Sequence, residues 1–256
     1  KPRIFRLERD NALINRLGFN NDGSEIVKKR IEEDVPNGLL GINIGPNKDT
    51  SNMTNDFIEC AKTFFPLGDY VTINISSPNT KNLRDFHQPT ILKQLLSTIN
   101  KIREKSNFKK SFVVKISPDL EEASISEIIN LILEYKIDGV ILTNTTDRNR
   151  ESLLDDEKKR EEGGLSGRPL RDLSTNLIRR FYRDLKGKIP IIGVGGIDSG
   201  EAAFEKIAAG ATALQLYTSM IYKGPGIIKD IKIQLIEILK KKGFKNITDA
   251  VGSSQS

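Results

Sequence analysis

Short apolar and β-branched runs alternate along this chain with longer stretches in which apolar residues recur every three or four positions. The runs predict strands over 39–44, 70–75, 112–116, 139–143, 189–194 and 213–217. The amphipathic stretches predict helices near 24–34, 52–65, 90–105, 120–135, 172–185, 200–209 and 226–242. Ser24, Asp119 and Ser199 each stand ahead of an acidic first turn and read as helix N-caps. Strands that are apolar almost throughout, with helices between them, make a parallel sheet covered on its faces.

An open doubly wound sheet and a closed barrel share that alternation, and the polar positions separate them. Nearly every run ends in polar or glycine-rich residues: Asn43 to Gly45, Asn74 to Ser77, Lys115, Thr143 to Thr146, Gly195-Gly196 and Tyr217-Thr218. Functional groups at the C-terminal end of strand after strand are the pattern of a (β/α)8 TIM barrel, whose βα loops share one face. An open sheet gathers them at one switch point. The prediction is therefore a single barrel domain over 1–256, with about six of the eight strands present. The first 21 residues read as a hairpin or loop insertion, and two further βα units are expected upstream. The highly charged stretch 147–164 reads as a mobile surface excursion or lid.

Composition excludes several classes. No run approaches the roughly 18 uninterrupted apolar residues of a membrane span. With 40 Lys and Arg against 34 Asp and Glu, the net charge is +6, but the basic residues fall in short runs. Lys240 to Lys242 close an apolar helix before Gly243, where cations complement the helix dipole, so they read as a solvated helix end and not as a nucleic-acid surface. One Cys leaves no disulfide framework or thiolate metal site, and Cys60 lies in an amphipathic helix. His87, the only histidine, sits in a predicted loop, so a Ser-His-Asp triad would need that residue.

Chemistry concentrates in a few motifs. Gly195-Gly196, followed by a helix, and Tyr217-Thr218, followed by a possible short helix, fit a phosphate cradle built from backbone amides after the last two barrel strands. GGLSG, ending at Gly167, is expected on the same face. Lys115 ends a buried strand, where a charge needs an anion or another partner. In NISSPNT, Asn74 and Ser76 share one side of the strand, and Pro78 turns the chain so that Ser77 and Asn79 stand over its end. With Asn43, Asn144 and Thr145 these amides and hydroxyls suit a small planar ligand rich in carbonyl and N–H groups.

These motifs carry a resemblance. GINIGPNK, NISSPNT, VKISPDL, LTNTT, GGLSGRPLRDLS, IIGVGGIDSG and QLYT, in this order over essentially the whole chain, resemble the dihydroorotate dehydrogenases. Within that family the chain is similar to the membrane-associated, quinone-reducing class, which has Ser where soluble relatives carry Cys as base. The resemblance implies an FMN-dependent barrel that oxidises dihydroorotate to orotate in pyrimidine synthesis and passes electrons to ubiquinone. Ser77 would take the proton from C5 while the hydride at C6 is transferred to the flavin. Asn43, Asn74, Lys115, Thr143, Gly167, Gly196, Tyr217 and Thr218 would bind FMN. Asn15, Arg16, Leu17, Gly18 and Phe19, with Asn74, Asn79, Asn144 and Thr145, would hold the substrate, and Arg6 would line the quinone tunnel. No metal and no nucleic acid are implied.

Two departures go with it. The family usually has Gly before Leu-Arg after NISSPNT, whereas this chain has Lys81-Asn82-Leu83-Arg84, which leaves the local lid conformation open. The family's first two strands, with a flavin-contacting Ala-Gly segment and a substrate-binding Lys, have no counterpart here. Neither does the N-terminal helical pair that forms the tunnel mouth and peripheral membrane contact. The expectation is that the chain is inactive without those residues and that the enzyme works at the mitochondrial inner membrane. A tRNA dihydrouridine synthase, another flavin barrel, would need a Cys near the flavin and a basic surface with stacking aromatics, and aromatics make up only 6%. A non-catalytic barrel used as a binding module would have no need of Ser77 and Lys115 among converging amides.

Overall fold

The computed structural model describes residues 1–105 and 110–255, which group into two compact units. In chain order the elements are β1 (Ile4–Leu7), β2 (Ala12–Asn15), α1 (Ser24–Glu33), β3 (Gly41–Ile44), α2 (Met53–Phe64), β4 (Tyr70–Asn74), α3 (Pro89–Lys105), β5 (Ser111–Ile116), α4 (Glu122–Glu134), β6 (Gly139–Leu142), β7 (Gly164–Gly167), α5 (Arg171–Leu185), β8 (Ile191–Val194), α6 (Gly200–Ala208), β9 (Ala213–Gln215), α7 (Thr218–Lys223) and α8 (Ile227–Lys241). All six predicted strands and seven predicted helices are present, with ends shifted by a few residues, and the short helix after Tyr217 is α7.

One unit comprises Leu17–Ile116 and Leu120–Gly139. Its strands β3, β4 and β5 pair in parallel, with Asn43 opposite Thr72 and Asn74 opposite Lys115. Val71 to Asn74 are all buried, as expected of a strand covered on both faces. Helix α3 starts at Pro89, where the missing N–H costs nothing, and buries Leu92, Leu95, Leu96 and Ile99 at helical spacing. Phe57 meets Phe86 edge-on at 5.5 Å, and Phe65 stacks on Phe112 at 6.3 Å. Asp138 accepts from the Phe112 N–H at 2.9 Å and pairs with Arg103, tying the edge of β5.

The other unit comprises Lys1–Arg16, Ser117–Asp119 and Val140–Ser256. Its parallel strands are β6, β8 and β9, with Leu142 opposite Gly193 and Gly193 opposite Leu214. Helices α6 and α8 pack through Ala203, Ile207, Ile227, Ile231 and Leu235. The first residues form the expected hairpin, with Leu7 opposite Ala12 and Asn11 at φ +47°, and the hairpin has a third strand that the pattern does not predict. That strand is β7, the GGLSG segment, antiparallel to β2. Alternation cannot reveal a strand that is half glycine, because its pairing rests on backbone contact.

Three expectations need correcting. Stretch 147–164 is not a free excursion. Leu153 is buried with Leu7, Ala12, Ile14 and Leu165, and the Arg150 guanidinium donates to the carbonyls of Lys159, Glu161 and Gly163. The buried leucine and the arginine together supply the apolar and polar partners that a loop usually finds in water. Ser24 is the first residue of α1, not its cap: Gly23 holds that place. Asp119 does not cap α4, which begins after Glu121; its carboxylate instead accepts from the Thr146 hydroxyl at 2.5 Å and the Asp147 N–H at 3.3 Å. Ser199 does cap α6, accepting from Ala202 N–H.

Candidate functional site

In each unit the polar residues singled out from the sequence gather at the C-terminal ends of the parallel strands. In the first, Asn74 closes β4 and is 5% exposed. Its Nδ2 donates to Asn43 Oδ1 at 3.0 Å, and its Oδ1 accepts from the Ser76 hydroxyl at 2.8 Å and the Ser76 N–H at 3.2 Å. These bonds fix which way the amide faces, since oxygen must accept and nitrogen donate. They also confirm that Asn74 and Ser76 share one side.

Ser77 follows, 7% exposed. Its Oγ accepts the Asn79 N–H at 3.2 Å, so the turn at Pro78 holds the hydroxyl by its oxygen. Among the described residues no protein acceptor takes the Ser77 proton. Thr80, two residues past Pro78, is also buried. The segment then enters a 3-10 turn, Leu83–His87, in place of the predicted loop. Asn82, where the family usually has Gly, sits at φ +59°, a left-handed conformation that Asn tolerates better than other side-chain-bearing residues. A left-handed conformation is one that Gly adopts freely, so Asn82 serves in a turn that Gly could also make.

Lys115 stands opposite Asn74 at the end of β5. Burial of its ammonium lowers the pKa from the ordinary lysine value, and among the described residues it has no carboxylate or hydrogen-bond partner. A desolvated cation without a counter-ion is costly, and an anionic or electron-rich ligand would relieve that cost. His87 is occupied elsewhere. Its Nδ1 donates to the Arg84 carbonyl at 2.9 Å, and burial pushes its pKa down to about 4. It is a neutral structural group.

The second unit supplies Thr143, fully buried after β6, whose hydroxyl donates to the Asn144 carbonyl at 2.9 Å. Asn144 Oδ1 accepts the Thr145 N–H at 2.7 Å. After β8, Gly195 and Gly196 lie at φ +117° and +69°, and a Cβ on Gly196 would stand 2.6 Å from Arg171 Cα. Helix α5 thus abuts this turn, and only glycine fits. Gly167 also lacks room for a side chain, since its Cβ would meet the Asn11 carbonyl at 2.3 Å. After β9, the Thr218 hydroxyl donates to Ser166 Oγ at 2.9 Å, whereas Tyr217 is 67% exposed. The buried Ser219 hydroxyl at the start of α7 has no hydrogen-bond partner among the described residues. In one unit the Lys115 ammonium suits an anionic or electron-rich ligand, and in the other the Ser219 hydroxyl is free to bond a polar one.

The NRLGF segment is divided. Asn15 and Arg16 belong to the hairpin unit, whereas Leu17, Gly18 and Phe19 belong to the other. Asn15 Nδ2 reaches the Gly164 carbonyl at 3.5 Å. Arg16 pairs with Glu161 at 2.8 Å, donates to the Pro2 and Glu162 carbonyls, and stacks on Phe5 at 4.6 Å. Phe19 packs on Gly45, whose Cβ would lie 2.7 Å from the ring. Arg6 stacks on Tyr222 at 5.5 Å, and the Tyr222 hydroxyl donates to the Ala12 carbonyl. Sequence reasoning passed over Ser166 and Ser219. Their signal was adjacency to Gly167 and Thr218, but a lone Ser carries no pattern of its own.

Comparison with known proteins bears on this arrangement. A family model described as dihydroorotate dehydrogenase matches residues 1–239. A protein of a Bradyrhizobium species named dihydroorotate dehydrogenase (quinone) is 42% identical, over 99% of this chain and 71% of that protein. A Rhodopseudomonas palustris protein of the same name is 43% identical over the same shares. Among solved structures, DHODH from Eimeria tenella in complex with ferulenol superposes with a TM-score of 0.94 at 40% identity, over 99% of this chain and 74% of that one. The ligand-free form from the same organism gives the same score and identity. The likeness supports the partial (β/α)8 barrel expected from the alternating pattern.

Proposed function

The chain belongs to the dihydroorotate dehydrogenase family, and on that premise we propose that it oxidises dihydroorotate to orotate with FMN bound and a quinone as electron acceptor, in pyrimidine synthesis. The observation that carries the reading is Ser77. A serine that takes a proton from carbon must release its own. The Ser77 hydroxyl is buried, is held through its oxygen by Asn79 N–H, and gives its proton to no acceptor among the described residues. It is poised to accept the C5 proton while passing its own to water or along Thr80.

FMN, when bound, supplies the two-electron acceptor for the C6 side of the reaction. Asn43, Asn74, Lys115, Thr143, Gly167, Gly196, Tyr217 and Thr218 would hold it, with Lys115 providing the positive charge and the turn at Gly196 providing backbone amides for the phosphate. Ser219, with its partnerless hydroxyl, joins that set. Asn74, Asn79, Asn144 and Thr145 would orient the planar substrate through amide and hydroxyl bonds, together with 15–19. Arg16 already engages Glu161, so its part would be to brace the hairpin more than to meet the substrate directly. Arg6, stacked on Tyr222, would face the quinone path.

We take 1–256 to work as one barrel domain. Ubiquinone as acceptor places the working enzyme at a membrane surface, with peripheral attachment and, in our reading, at the mitochondrial inner membrane. The curated relatives named above are bacterial, so the compartment rests on the sequence resemblance. The test is steady-state turnover of the full-length polypeptide. Orotate should form in equimolar amount to the ubiquinone analogue reduced, and neither NAD+ nor fumarate should replace the quinone. Turnover with NAD+ or fumarate instead would move the chain to another class, and no orotate with any acceptor would sink the reading.

A further inference from the structure

Lys206 takes no part in the chemistry described above, yet it is fully buried, with 0% of its surface exposed. It lies on α6, the helix that follows the Gly195-Gly196 turn. Its Nζ donates to the Arg171 carbonyl at 2.6 Å and to Thr175 Oγ1 at 2.6 Å. Thr175 Oγ1 in turn donates to the same Arg171 carbonyl at 2.8 Å. The ammonium thus ties α6 to the first turn of α5.

That first turn is the surface against which the glycine pair is built. Arg171 backbone and Cβ atoms occupy the place of a Gly196 side chain, at 2.6 to 2.7 Å, and Leu170 and Ser174 crowd Gly195 at 3.0 to 3.1 Å. The buried Ser174 hydroxyl donates to the carbonyl of Val194, the residue just before the pair, at 2.5 Å. A second link runs outside, where Arg171 forms a two-point pair with Glu205 at 2.6 and 2.7 Å. That pair is partly in water, where ion pairs contribute little. The buried ammonium is a different case. Removing a lysine from water is costly, and an apolar side chain of similar length would fill the space without that cost.

We propose that Lys206 is a positioning residue for the phosphate of the bound flavin: it holds the start of α5 against the Gly195-Gly196 turn and so sets where the turn's amides point. The inference rests on the FMN reading above. Removal from water lowers the Lys206 pKa to about 7, the direction expected of a buried amine. Its effect on the ligand runs through Arg171 and Gly196, so it should be felt by the phosphate and not by the isoalloxazine ring.

The experiment compares FMN with riboflavin, which lacks the phosphate, by fluorescence titration of the deflavinated full-length protein. Lys206→Met should raise the FMN Kd at least tenfold and move the riboflavin Kd by less than threefold. Thr175→Val, which leaves the ammonium one partner, should act in the same direction, while Thr175→Ser keeps the hydroxyl and should restore wild-type affinity. Glu205→Gln, which breaks only the outer pair, should leave both affinities within twofold. If Lys206→Met does not fold, the two Thr175 variants decide. Equal losses of FMN and riboflavin, or an FMN Kd within threefold of wild type, would overturn the proposal. A wild-type protein that binds neither flavin would instead overturn the FMN reading on which it rests.

Discussion

Replacing Ser77 by Ala removes one oxygen and leaves the backbone turn in place. Two effects follow, and they separate cleanly. The Asn79 N–H loses its acceptor, which costs on the order of 1 kcal/mol of stability. In the role proposed for Ser77 the carbon acid also loses its base, and a positioned general base contributes typically about 10²–10⁴ in rate, equivalent to roughly 3–5 kcal/mol of barrier. Neither effect touches the flavin, because Ser77 is not among the residues assigned to it. The assay is anaerobic stopped-flow mixing of the loaded variant with dihydroorotate, following the visible flavin band. Ser77→Ala should retain stoichiometric flavin and lose at least two orders of magnitude in the rate of flavin reduction. Reduction within threefold of wild type would remove Ser77 from the base role, whatever its position in the motif.

Lys115→Met should relieve the burial of an unpartnered cation in the empty protein, raising its Tm by a few degrees at about 2–4 °C per kcal/mol, while weakening FMN binding; a variant that binds FMN as wild type does would contradict the charge assignment. Gly196→Ala must place a Cβ 2.6 Å from the Arg171 backbone at φ +69°, so it should cost well over about 1–2 kcal/mol and release flavin, as thermal melting and the flavin content of purified protein would report. A variant that is equally stable and fully loaded would mean that the turn is not under constraint. His87 is pushed down to about 4 from its ordinary 6.5 by burial, so the unfolded chain binds the proton more readily between those values. Stability should therefore fall as pH drops from 6.5 to 4, by about 3 kcal/mol from this group, and then level. His87→Asn, which keeps a donor for the Arg84 carbonyl, should flatten the denaturant midpoint across that window, and an unchanged slope would refute the attribution.

The parallel strands were legible because each is a short apolar run that ends in a polar cluster, and the structure places Asn74, Lys115, Thr143 and Gly196 at or just past those ends. Asn74 and Ser76 could be put on one side from strand alternation alone, and their hydrogen bond agrees. The third strand of the hairpin sheet was not legible. Gly164 and Gly167 give no alternation, and what defines β7 is close backbone approach to β2, a property of the folded chain. The same limit applied to 147–164, where charge suggested a loop in water while one leucine and one arginine secure it. Lys206 lay unnoticed for a related reason: in EKIAAG it looks like any surface lysine of an amphipathic helix, and only the packing of α5 against α6 reveals that it is buried.

The most direct measurement is the visible spectrum of the purified full-length protein under anaerobic conditions, before and after dihydroorotate and then after a ubiquinone analogue. A bound-flavin spectrum is expected that bleaches on dihydroorotate and returns with the quinone, but not with NAD+ or fumarate. A yellow protein whose spectrum dihydroorotate leaves unchanged would contradict that expectation.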